Sequence, residues 1–135
     1  MSEKAIGWEG RLVAYLRECS TQSFRPGTLD CGLFAGGAVR AMTGRDVTKG
    51  LRYRTIKGGL AQMQKRGHID HVEYAASLFD ELPSPLMAQR GDLAALRDDE
   101  GHLALGVVQG ESVYMMGLQG IGMAPLTRAE RAFRV

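Results

Sequence analysis

Cys31 is the residue with the clearest chemical potential in this chain. It stands in the run FRPGTLDCGLFAGGAVRAMTG, where Asp30 is a good N-cap and Cys31, Phe34, Ala35, Ala38 and Met42 share one helical stripe. The run predicts a helix from about Asp30 to Thr43, with Gly44 at the left-handed position that ends it. A cysteine in the first turn of a helix meets unpaired N–H groups and the positive end of the helix dipole. Both favour the thiolate, which is the reactive form. Asp30 works the other way, because a neighbouring negative charge raises a thiol pKa. The competing reading is an inert buried thiol, since free cysteine is among the most buried residue types. Cys19 closes the apolar face of an earlier helix and reads as core.

A nucleophilic cysteine needs a base, usually histidine, brought near in space. His68 and His71 lie in GHIDH, at the entry to a polar helix. Their spacing could place two metal ligands on one face, but no third is evident, and they read as a solvated surface pair. His102 opens the run HLALGVVQG, just after the turn DDEG, and is the expected base. If that run and SVYMMGLQG form a hairpin with Gly110-Glu111 at the turn, Gln109 faces Ser112 and His102 falls opposite Gln119. An amide there could fix the imidazole tautomer. The expected catalytic set is therefore Cys31, His102 and Gln119, with no metal and no cofactor.

These residues need elements to carry them. Apolar residues from Ile6 to Cys19 fall on one helical face, and Gly36-Gly37 inside the second helix make sense where another backbone passes close by. Thr55 to Arg66 reads as a third helix. Asp70 to Leu82 reads as a fourth, stopped by Pro83 and Pro85. After Pro85 the texture changes to short apolar runs separated by Gly, Asp and Glu, which predict four or five antiparallel strands. Helices first and strands later argue an α+β fold: N-terminal helices packed on a C-terminal antiparallel sheet. One domain over residues 1–135 is expected, with a helical half at 1–85 and a strand half at 86–135.

Composition narrows the function classes. At 135 residues, 44% hydrophobic and 24% charged, the chain can bury a real core and is not a disordered tract. Two cysteines are too few for a disulfide scaffold or a four-cysteine zinc site. A net charge of +2 does not indicate wholesale coating of nucleic acid. The basic stretch from Arg45 to Arg66 contains one acid, Asp46, and reads as a solvated face or one that meets an acidic partner. Gly117, Gly120 and Gly122 do not open a helix and so do not form a phosphate loop. No secretory signal and no membrane-spanning run is expected, which points to synthesis in a reducing cytoplasm with free thiols.

The run FRPGTLDCGLFAGGAVRAMTGRDV, followed by AQRGDLAAL, HLALGVVQG and GLQGIGMAPL, resembles the NlpC/P60-like cysteine peptidases, most of all the small forms encoded with phage and gene-transfer-agent tails. The resemblance runs from Phe24 onward and implies a papain-like core. Cys31 matches the nucleophile position and Gly91-Asp92-Leu93 the first strand of the sheet. The position of the family's base falls at Ala104, with His102 two residues upstream on the same strand face, and Gln119 is the nearest candidate for the third, polar position. The resemblance further implies hydrolysis of amide bonds in peptidoglycan peptides during genome delivery. It places the protein in the virion, at the tail tip among other tail-tip and hub proteins, after synthesis in the host cytoplasm. A catalytically degenerate structural component of the tail tip is the alternative. Neither a nucleic-acid partner nor membrane insertion is implied.

Overall fold

A computed structural model describes residues 4–135. Four helices come first: α1 (Trp8–Cys19), α2 (Cys31–Thr43), α3 (Ile56–Lys65) and α4 (His71–Leu78). Six strands follow: β1 (Asp80–Glu81), β2 (Leu93–Arg97), β3 (Leu103–Gln109), β4 (Ser112–Gly117), β5 (Gly120–Pro125) and β6 (Arg131–Arg134). The fold is α+β. The strands form one antiparallel sheet in the order β1-β6-β2-β3-β4-β5, an open sheet with β1 and β5 at its edges. No helix among the described residues is long and apolar enough to cross a membrane.

Three of the four helices, α2, α3 and α4, start where a side chain can accept from their free amides. Asp30, Thr55 and Asp70 each cap a helix, accepting from Leu33 N, Gly58 N and Glu73 N. Gly44 ends α2 at φ 79°, and its N–H donates to Arg40 O at 2.8 Å. α2 is the central helix. Phe34, Ala35, Ala38, Val39 and Met42 are buried on its stripe, against α1 and the sheet. Its two inner glycines make room for side chains, not for a second backbone. A Cβ at Gly37 would lie 2.1 Å from the Tyr15 hydroxyl, and one at Gly36 would lie 2.4 Å from Thr48 Cγ2. Tyr15 uses that space to donate its hydroxyl to Phe34 O at 2.8 Å and to stack on the Phe34 ring.

Alternation along the strands divides the core. Leu93, Ala95, Leu105, Val107 and Phe133 face the helices. Ala94, Leu96, Val108, Val113 and Ala132 face the other way, under Leu82, Ala88 and Leu126. The sheet has six strands, not four or five, and it begins before residue 86. The fourth helix ends at Leu78 and not at Leu82, because Phe79 turns into the core and Asp80 and Glu81 pair with Arg134 and Phe133.

Asp92, in the Gly-Asp-Leu run, is 1% exposed and structural. It accepts from Gln89 N at 2.8 Å, from Val135 N at 3.1 Å and from Arg134 Nε at 3.2 Å. Asp92→Ala strands three donors beside a buried space and is expected to cost about 2–4 kcal/mol of stability. Urea unfolding measures it, and a loss under about 0.5 kcal/mol would deny the carboxylate this role.

Candidate active site

The site is built on two helix starts of matching design, an aspartate cap followed by a chemically active side chain: Asp30-Cys31 and Asp70-His71. Before α2 the chain makes a closed loop, with Arg25 and Leu29 exchanging backbone bonds at 2.8 Å in both directions. Gly27 turns this loop at φ 80°. Asp30, 3% exposed, holds it together. One carboxylate oxygen accepts from Leu33 N at 2.9 Å. The other accepts from Gly27 N at 3.0 Å and from the Tyr53 hydroxyl at 2.6 Å. Burial, then the bond to Asp30, pushes the Tyr53 hydroxyl pKa up, so it stays a proton donor.

Cys31, half-buried, is the first residue of α2, and His71 is the first of α4. Cys31 Sγ lies 3.5 Å from His71 Nε2. The ring packs beside Gly32, where even a Cβ would rest in ordinary contact with His71 Cδ2 and Cβ, at 3.6 and 3.7 Å. α4 is held from two sides. Tyr74 donates to Val47 O at 2.7 Å and accepts from Arg66 at 3.0 Å, while Arg131 of β6 bonds both Glu73 of α4 and Glu81 of β1. Among the described residues no hydrogen bond reaches the other ring nitrogen, so packing and helix position set the ring's orientation.

Burial pushes the Cys31 thiol up to about 11, with the charge of Asp30 adding to it. The backbone amide of Gly32 pulls it down, Asp98 raises it, and the Leu105 amide on β3 lowers it again. Burial also lowers the His71 pKa, against smaller upward pulls from Asp70 and Asp30. The two shifts favour the same resting state near neutral pH, a neutral thiol beside a neutral imidazole. Such a pair can pass the thiol proton to Nε2 as the sulfur attacks. With the pKa at about 11, about one thiol in ten thousand is ionised at pH 7, against one in a hundred at 9.0. Alkylation of Cys31 by iodoacetamide is therefore expected to run about 100-fold below a free thiol at pH 7 and to climb about tenfold per pH unit. A rate that levels off below pH 8 would mean that the sulfur is already ionised there.

The structure brings a different imidazole to the thiol than the expected His102. His102 precedes β3, with its side chain 75% exposed, its N–H bonded to Asp98 and its ring facing Glu100 at 3.7 Å and Asp98 at 4.0 Å. The ring beside Cys31 is His71, which is thus no solvated surface residue. Its expected companion His68 packs edge-on against Tyr74. Gln119 is exposed in the turn between β4 and β5. The hairpin register is as counted, with Gln109 opposite Ser112, but pairing stops at Val107 and Tyr114. Beyond that point β4 pairs with β5 alone, so His102 and Gln119 never face each other. Cys19 is 2% exposed and belongs to the core. Among the described residues no group of three or more candidate ligands could hold a metal ion.

Tyr53 is a residue of the site with no signal of its own in the sequence, where it stands as the one aromatic in the basic stretch from Arg45 to Arg66. The repeat of an aspartate cap before Cys31 and before His71 was a usable signal for the pairing of thiol and imidazole. The chain is matched over residues 3–135 by the model of a family described as a domain of unknown function, DUF6950, and it belongs to that family. No curated protein matches it.

Proposed function

We propose that this member of the DUF6950 family is a cysteine amidohydrolase of NlpC/P60-like, papain-like design that cleaves peptide amide bonds of peptidoglycan. Its place would be the phage tail tip, among other tail-tip and hub proteins, during genome delivery. The observation that carries the reading is the 3.5 Å approach of Cys31 Sγ to His71 Nε2 at the start of a buried helix. The family resemblance read from DCGLF and RGDLA supports the substrate class.

In this mechanism Cys31 attacks the amide carbonyl, forming the C–S bond as the carbonyl electron pair moves to oxygen and the thiol proton passes to His71. Backbone N–H groups at the start of α2 stabilise the oxyanion. The C–N bond then breaks and His71 returns its proton to the leaving amine. Water, deprotonated by His71, attacks the thioester. The acid leaves, and the proton held by His71 restores the thiol. No cofactor enters.

Cleavage of purified muropeptides, read by chromatography, tests this. Cys31→Ala is expected to abolish cleavage while leaving the circular dichroism spectrum unchanged. Equal cleavage by the variant would remove Cys31 from the chemistry. The absence of an orienting partner on His71 and the upward shift of the thiol favour a second reading, a non-catalytic tail-tip component of the same fold. A folded wild-type protein that cleaves nothing selects it.

A further inference from the structure

A recess of about 450 Å³ adjoins the site, lined by Gly27, Leu51, Arg52, Tyr53 and Arg54. Tyr53 is the wall that the two share. Its hydroxyl bonds Asp30, and it lies near enough to Cys31 for the sulfur's charge to act on it. The segment behind the recess is well fixed. Arg52 N donates to Gln62 Oε1 at 3.0 Å, and the Gln62 amide donates back to Arg52 O. Gly59 leaves space for the Tyr53 ring, where a Cβ would come within 2.8 Å. The two exposed arginines are the chemical feature. Among the described residues neither guanidinium group pairs with a carboxylate, which is true also of Arg11, Arg17, Arg25, Arg90 and Arg128; Arg52 and Arg54 differ from those in lining one recess together. The nearby acid, Asp30, sits behind Tyr53 with its oxygens taken up by two amides and the phenol.

We infer that this recess is a subsite for a carboxylate carried by an acidic peptide substrate whose scissile amide is presented to Cys31. The inference rests on the hydrolase reading and adds the substrate's charge to it. Forked guanidinium groups match a planar carboxylate, and the Leu51 side chain with the Tyr53 ring gives an apolar wall to the short aliphatic stem that bears it. Two exposed arginines imply weak, salt-sensitive recognition that favours acidic peptides over their amidated counterparts.

The test uses the Cys31→Ser protein, which binds without turnover, labelled with nitrogen-15. N-acetylglutamate is expected to shift the amides of Gly27 and of residues 51–54 saturably, with a Kd on the order of 1 mM to 10 mM. N-acetylglutamine and inorganic phosphate are expected to leave those amides in place. Arg52→Gln with Arg54→Gln is expected to weaken binding about tenfold, as is added salt. No saturable shift there, an equal response to N-acetylglutamine, a stronger one to phosphate, or binding unchanged in the double variant would each overturn the subsite. Turnover is read separately on the wild-type protein. Carboxylate binding without any cleavage removes the hydrolase reading and leaves the anion site standing. Cleavage that ignores both the peptide's carboxylate and the two arginines removes the subsite and leaves the hydrolase.

Discussion

Replacing His71 by alanine is expected to lower the rate of muropeptide cleavage by about 10³-fold, within the range for loss of a general acid–base group. His102→Ala is expected to leave it within about twofold, since that ring lies in solvent beside Asp98 and Glu100. The comparison is decisive because both variants remove one imidazole and only one removes the ring beside the thiol. If His102→Ala is the damaging change, the base has been misassigned. The pH dependence follows from the same burial. His71 must be neutral to accept a proton, and its pKa lies below the ordinary 6.5, so activity is expected to fall only below that value. On the alkaline side no falling limb is expected until the thiol titrates, at about 11. Stability carries a related signature. A histidine with a depressed folded pKa is protonated more readily in the unfolded chain. Its contribution is present above 6.5 and is lost as pH falls through the folded value. His71→Gln is expected to remove that part of the acid sensitivity.

The second large effect is expected at Gly27. An alanine there needs φ near 80°, and its Cβ would fall 1.8 Å from the backbone oxygen of Tyr53. A backbone atom cannot swing aside as a side-chain tip can. The strain and the forced shift together are expected to cost about 3–5 kcal/mol, lowering Tm by about 10–20 °C for a chain of this size. Gly110 makes a good control. It also has positive φ, at 64°, but nothing lies within 4 Å of a Cβ built there. Gly110→Ala is expected to cost only about 1 kcal/mol. Equal Tm losses for the two variants would mean that left-handed geometry alone, and not the close approach of loop and Tyr53, governs the position.

Much of the scaffold was legible. The caps Asp30, Thr55 and Asp70 mark the helix starts, Gly44 marks an end, and the apolar runs after Pro85 give β2 to β6. β1 was not legible, because Asp80-Glu81 is two charged residues that become a strand only when β6 arrives beside them. Cys31 was recognisable because its chemistry is local: a thiol after a cap. Its imidazole neighbour was not, because pairing His71 with Cys31 requires knowing that two helix starts meet across 40 positions of chain. His102 drew attention by standing at the mouth of a strand, and the hairpin count then extended a correct register past the point where β3 and β4 part. Asp30 looked like an electrostatic brake on Cys31. It is that, and it is also the tie for Gly27, Leu33 and Tyr53.

That tie has an evolutionary consequence. Because a single buried carboxylate fastens a loop, a helix start and a phenol, changes at positions 27, 30 and 53 should be epistatic. Loss of the carboxylate removes much of what the other two are needed for, so drift at this corner would proceed in linked sets of substitutions, with isolated single changes disfavoured.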